Sequence, residues 1–360
     1  MNYRNPKTIL ITAFTFAAVT VMSYTSSSMA AGSTLDPAIV KSFGGDALIA
    51  AAKKEGSLVL YTSVDVDSIA VMVAEFKKTF PGIAVEVFRQ GGGALDLVVR
   101  AESKAGKLRA DVIEQTDAYL MSQLDTQLGL LAAYKSPSKL DYPSSTILSG
   151  KIYPGYSQLF GYAYNTNLVA AADVPKSWAD FLNPKFNKVR GTIPPTAGGC
   201  SWALAYFQRQ VLGVGYWKKL AATKPTLLNS NTLLVQMLSK GDLAVSTLLD
   251  NVARPAIKAG SPIKMVYPTE GTPPCPVSVA LVNNAPHTAA GTLWLNWLLS
   301  KTGQSVWVNQ VGANSSRKDM PMPTAIANVA AWRMPMDRYL QLHDTWIAEW
   351  GTIFNYRAGA

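Results

Sequence analysis

The sequence predicts an α/β protein built as two lobes, and three observations carry that expectation. Short apolar runs alternate with amphipathic segments from about residue 45 onward, the pattern of a doubly wound sheet flanked by helices. The composition then changes between Ala133 and Pro154, where Pro, Ser, Tyr and Lys dominate, before a second alternating region begins. Finally, about 330 residues remain beyond the first 30, enough for two separate cores.

Residues 45–56 read as a short amphipathic helix stopped by Gly56, and Leu58-Val59-Leu60-Tyr61 as a buried parallel strand. Ser68 is the expected cap of the next helix, whose Ile69, Val73, Phe76 and Phe80 share one face until Pro81-Gly82 ends it. A strand over Ala84–Phe88 follows. Gln90-Gly91-Gly92-Gly93 makes a turn into a helix near Ala94, with Leu95, Val98 and Val99 inward. Asp111-Val112-Ile113 reads as the third strand, and Leu120, Leu124, Leu128 and Leu131 as the stripe of the helix after it.

In the second region, residues 157–164 form an expected strand ending at Asn165-Thr166-Asn167. Trp178–Phe181 come next, then a strand near Gly191–Ile193 and a helix over Ser201–Leu212. Helices around Tyr216 and Thr232 precede the apolar segment Leu243–Leu249. After residues 264–267 comes a Pro- and Gly-rich loop, Glu270–Pro276, and a buried strand over Val277–Val282. Pro286 suits a first helical turn, Ala290, Leu293, Trp294, Trp297 and Leu298 make the stripe, and Gly303 is the expected stop. More helix over the last forty residues presents Trp332, Tyr339, Leu342 and Trp346 as packing residues.

The first 30 residues have the layout of a cleaved secretory signal. Arg4 and Lys7 precede an apolar run from Ile9 to Met22, and Ser28 and Ala30 occupy the small-residue positions before a cleavage site. The run is short for a membrane span, which needs about 20 apolar residues. The formal net charge is +10, of which Arg4 and Lys7 supply two, leaving +8. Basic residues are scattered in ones and twos, the mark of a solvated surface rather than a nucleic-acid track. The two cysteines, Cys200 and Cys275, permit one disulfide in an oxidising compartment, but their separation in sequence leaves bridged and free forms open.

Several segments in order resemble the extracellular solute-binding proteins of ABC importers, in particular the branch containing ferric-iron-binding proteins. They are Leu58–Ser63, Gly106–Val112, Tyr164-Asn165-Thr166, Trp178–Pro184, Tyr267–Thr272, Ala285-Pro286-His287 and Trp297–Gln304, within roughly residues 45–320. The resemblance implies a type II periplasmic-binding fold: two α/β lobes, a hinge of two crossing strands, and a ligand held in the cleft as the lobes close. It places the first lobe at 31–158 and 272–318, and the second at 159–271 and 319–360. It further implies a monomer in the periplasm that serves a permease of the inner membrane, with no cofactor.

Iron-binding members of that branch use an adjacent tyrosine pair and a first-lobe His. Here the matching positions are Asn251 and Val252, and Tyr61–Asp65 contains no His. Iron would therefore need a different oxygen set, drawn from Glu114, Asp117, Asp250 and a tyrosine, and remains the alternative to a small organic anion such as a carboxylate, phosphate or phosphonate. Three loops suit the anion. Thr62 and Ser63 follow the first strand at its carboxyl end, where open α/β sheets bind ligands. Gln90, Gly91 and Gly92 precede one helix, and Thr196, Gly198, Gly199 and Ser201 open another; uncapped N–H groups at a helix start attract an anion. Thr116 and Asp117 after the third strand, Asp250 and Asn251 after a later apolar run, and Tyr162 on the crossing segment complete the candidate set.

An enzyme is the competing class. His287 and His343 lack the surroundings of a Ser–His–acid set, and no nucleophile elbow, HExxH or Walker loop occurs, so a secreted hydrolase is not expected.

Overall fold

A computed structural model describes residues 35–320, 332 and 334–357; the expected signal over residues 1–30 lies outside them. After helices α1 (Pro37–Ser42) and α2 (Asp46–Glu55), strands and helices alternate: β1 (Ser57–Thr62), α3 (Val66–Thr79), β2 (Ala84–Arg89), α4 (Gly92–Lys104), β3 (Val112–Gln115) and α5 (Ala118–Thr126). Strands β1 and β2 pair in parallel, as do β1 and β3. The sequence placed this half well, with local shifts. Asp65, not Ser68, caps α3, its carboxylate accepting the Ser68 N–H at 2.9 Å, which starts the helix three residues early. The helix carrying Leu120 and Leu124 ends at Thr126, and Leu131 lies instead in a bridge with Val282.

A long strand, β4 (Tyr153–Asn165), leads into α6 (Trp178–Phe181), β5 (Arg190–Thr192), α7 (Gly199–Phe207), α8 (Val214–Ala222), β6 (Thr226–Leu227), α9 (Asn231–Lys240), β7 (Val245–Leu249), α10 (Asp250–Lys258) and β8 (Ile263–Val266). Then β9 (Pro274–Leu281), α11 (Thr288–Leu299), α12 (Lys301–Val306), α13 (Met336–Gln341) and α14 (His343–Phe354) complete the described chain. The strand order is β2-β1-β3-β9-β4-β7-β5-β6, with β8 also on β4. Strand β4 works twice: its first part pairs antiparallel with β9, and its second part with β7 and β8. It is therefore the continuous link between the two halves of the sheet. Pro286 stays outside α11, which begins at Thr288, and Gly303 sits inside α12 because Ser300 ends one helix and caps the next.

Each half has its own core. Leu95, Val99, Ile113, Met121 and Leu124 pack on one face of the first half. On its other face Phe76 meets Trp294 and Trp297 edge-on, at centroid distances of 5.0 and 5.4 Å. The second core gathers Phe160, Trp178, Trp202, Phe207, Leu234 and Leu248, and the tail helices close it with Tyr339 and Trp350. Burying side chains of this size stabilises by about 1.5–3 kcal/mol each, so both halves hold firm edges around the space between them. No described helix is long and apolar enough to cross a membrane.

Candidate functional site

Between the two halves lies a cavity of about 220 Å³ onto which loops from both converge. Ser63, at the end of β1, is fixed by three bonds: its hydroxyl donates to Gln115 Oε1 at 2.8 Å, approaches Thr116 Oγ1 at 3.1 Å, and accepts the Thr116 N–H at 2.8 Å. Gln115 in turn donates to the Gly92 carbonyl at 3.1 Å. The ends of β1 and β3 and the start of α4 are thus one hydrogen-bonded unit. A Cβ on Gly92 would sit 3.0 Å from Gln115 Oε1, so glycine lets the helix start come this close.

Across the cavity, α7 begins at Gly198-Gly199 with no side-chain cap. Gly198 holds φ +149°, a backbone that any side chain would strain. Gly199 packs so tightly on the turn after β3 that a Cβ would run into the Thr116 carbonyl and the Asp117 backbone. A third helix start, that of α9, supplies Asn229, Ser230, Asn231 and Thr232 to the same wall, and Ser230 caps it. Three helix N-termini therefore aim their dipoles and N–H groups at one space. Arg89, the last residue of β2, adds a cation; its Nε donates to the Val64 carbonyl at 3.1 Å.

Of the residues picked from sequence, Ser63, Gly91, Gly92, Thr116, Gly198, Ser201 and Asn251 line this cavity. The others do not, each for a visible reason. Thr62 is buried and spends its hydroxyl on Glu114 at 3.1 Å. Gln90 and Thr196 point to solvent, and Gly199 is pressed against the neighbouring turn. Asp117 caps α5 through the Tyr119 N–H at 2.9 Å. Tyr162 is buried, donating to the Ser177 carbonyl at 3.3 Å and stacking on Phe181. Asp250 is buried beneath the floor, where Oδ1 accepts the N–H groups of Leu159 and Asn251 and Oδ2 accepts Arg254 at 3.0 Å. Cys200 and Cys275 are bridged, with Cα atoms 4.8 Å apart, and Cys200 lies on the cavity wall. Sequence reading missed Arg89, Tyr156, Gln158 and the Asn229–Thr232 turn. The last had a signal, since Ser230 precedes the apolar run Leu233-Leu234-Val235 as an N-cap should.

Burial dominates the electrostatics beneath the cavity. Glu114 is fully enclosed; desolvation pushes its carboxyl up to about 8 despite the Thr62 hydroxyl, with a smaller push from Asp65, so it is mainly protonated at neutral pH. Asp250 is also raised by burial, opposed by Arg254. Neither carboxyl lines the cavity, whose charged lining residues are Arg89 and Asp65. His287 pairs with Asp111 at 2.9 Å and His343 with Asp344 at 2.7 Å, both off the cavity wall. Among the described residues no cluster of three or more His, Cys, Asp or Glu could hold a metal ion. A larger cavity of about 500 Å³ lies on β4 and β9, lined by Pro143, Leu148, Pro276, Trp332 and Met334. Among the described residues no helix of eight residues or more begins there.

Helix starts facing one another across two halves of a sheet, those of α4 and α7 without a side-chain cap, are a device for holding a small solute, and the chain's relatives share that trade. The chain belongs to the family of bacterial extracellular solute-binding proteins, whose model matches residues 111–333. It is thereby the substrate-binding component of an ABC importer, acting outside the cytoplasm. Among its relatives is a Salmonella typhimurium protein named "Putative 2-aminoethylphosphonate-binding periplasmic protein", 26% identical over 236 residues that span 62% of this chain and 67% of that one. Among solved structures it is similar to AfuA of Actinobacillus pleuropneumoniae with fructose-6-phosphate bound, at 20% identity and TM-score 0.73, over 84% of this chain and 99% of that one. It is also similar to iron-bound HitA of Pseudomonas aeruginosa, at 18% identity and TM-score 0.70, over 82% and 99%. These likenesses show the fold, the two-lobed type II periplasmic-binding architecture.

Proposed function

We propose that the protein, freed of residues 1–30, works as a periplasmic monomer that captures a small organic oxyanion, closes around it and hands it unchanged to an inner-membrane permease. The observation that carries this reading is the convergence of the α4, α7 and α9 N-termini with Arg89 on one cavity. A phosphonate, phosphate or carboxylate group fits such a cradle because backbone N–H donors and a guanidinium satisfy it without side-chain bulk. The phosphonate in a relative's name and the sugar phosphate bound to AfuA point to the same chemistry. Ferric iron is disfavoured by Asn251 and Val252, which stand where the resemblance to iron-binding members would require a tyrosine pair.

Native mass spectrometry of the exported protein, followed by a thermal-shift screen with organic phosphonates, phosphates, carboxylates and ferric salts, tests the reading. The expected result is stabilisation by one oxyanion class, weakened about tenfold in affinity by Arg89→Gln through loss of a charge-assisted bond. An adduct with the mass of one iron ion, or stabilisation by ferric salts alone, would sink it.

A further inference from the structure

Strand β4 passes from its pairing with β9 to its pairing with β7 between Leu159 and Phe160. At that changeover a buried carboxylate grips the strand: Asp250 Oδ1 accepts the Leu159 N–H at 3.1 Å. The same oxygen accepts the Asn251 N–H at 2.9 Å, and Asn251 lines the oxyanion cavity. Oδ2 accepts Arg254 Nη2 at 3.0 Å from one turn further along α10. Arg254 then reaches beyond its own half. Its guanidinium lies against Gly312, which ends the helical turn Trp307–Val311 packed on α3 of the first half. Gly312 holds φ +81°, and a Cβ there would stand 2.9 Å from Nη1 and 3.1 Å from Cδ of Arg254. Beyond it Asn314 pairs with Ser157 on β4, just before the changeover. A side chain of the second half therefore fills the place of one missing from the first, beside the strand that both halves share.

We propose that Arg254 is a positioning residue for closure: held by Asp250, it is the stop on which the Gly312 turn comes to rest, and it sets the angle between the halves. From the reading above the proposal takes only that the halves close. A guanidinium suits a stop because its rigid fork bonds a carboxylate with one nitrogen while the rest packs on backbone, which a flexible ammonium does poorly. Lysine would answer the charge of Asp250 and leave the space at Gly312 open. The link to the ligand runs through Asp250, because the carboxylate that holds Arg254 also fixes Asn251 on the cavity wall.

Spin labels on Leu97→Cys and Leu233→Cys, exposed positions of α4 and α9 on the two sides of the cavity, read the angle as a distance in the exported protein, whose own cysteines are bridged. Wild type, Arg254→Lys and Gly312→Asn are compared without ligand and with inorganic phosphate added. Asparagine tolerates a positive φ, and the atom its Cβ meets first is the end of a flexible side chain, so Gly312→Asn displaces Arg254 and leaves the turn folded. Each variant should cut the short-distance population by about threefold or more, and the double variant should do no worse than either, because one contact is lost in all of them. A distribution unchanged in either variant overturns the stop, even where the melting temperature falls, which is all that a merely structural ion pair would give. A wild type with no short-distance population in either condition overturns it too, and so does a double variant that adds the two effects. Variants that open the protein, in a wild type indifferent to phosphate, keep the stop and count against the oxyanion reading alone.

Discussion

Gly199 makes the clearest test at the scale of a residue. Its missing side chain lets the start of α7 press on the turn after β3, joining the two halves of the molecule at the cavity. Alanine is the better helix former, so Gly199→Ala does no harm to α7 itself. Its Cβ, however, overlaps the Thr116 carbonyl and the Asp117 backbone, and neither atom is the end of a flexible side chain. The halves must then stand further apart, and the closed arrangement pays the strain of an overpacked contact, about 1–3 kcal/mol. We expect ligand affinity by calorimetry to fall by about tenfold or more while the ligand-free melting temperature moves little. An equal loss of stability without ligand would show that the contact is held open or closed alike.

Helix α14 joins distant elements, and its first residue is a histidine whose pKa is raised. His343 stacks on Tyr119 of α5 at 3.9 Å, lies edge-on to Trp202 of α7, and faces Asp117 at 3.7 Å and Asp344 at 2.7 Å. Burial alone would lower its pKa, but Asp117 and then Asp344 outweigh that and raise it. A raised histidine contributes stability that is whole below its unfolded value of about 6.5 and is lost as pH climbs through the higher folded value. The melting temperature should therefore decline above about pH 6.5 by about 2 °C per kcal/mol of the pair, a slope absent from His343→Gln. An identical slope in the variant would assign the effect to another group. At this scale the sequence was informative in an uneven way. The apolar runs that became β1, β3, β7 and β9 declared themselves because a strand buried on both faces has no polar alternation. Helix starts were less legible, since Asp65 and Ser68 are equally good caps in isolation and packing chose between them. The glycine-rich starts of α4 and α7 drew attention to the site. The α9 start and Arg89 did not, because their role exists only once β1, β7 and β2 bring them to one cleft.

For the whole molecule, the decisive crosslink is one that sequence distance could not settle. Cys200 lies in the first turn of α7, on the cavity wall, and Cys275 lies on β9, which pairs with the strand common to both halves. The bridge therefore holds a helix start of the binding site against the centre of the sheet. It closes a loop of 75 residues, which in the chain-entropy account stabilises the native state by about 4 kcal/mol. A chain of this size has cores enough to fold without it, so the double variant Cys200→Ser, Cys275→Ser should be obtainable and monomeric. We expect its unfolding free energy in urea to drop by about 2–4 kcal/mol, and its affinity for the ligand to fall as well, because α7 loses its tie beside the anion. Thiol titration of the exported wild type should find no free thiol until reductant is added, and reduction should reproduce both losses. Stability lost with affinity kept would confine the bridge to holding the fold; affinity lost in step with reduction would make the oxidising compartment a condition of binding.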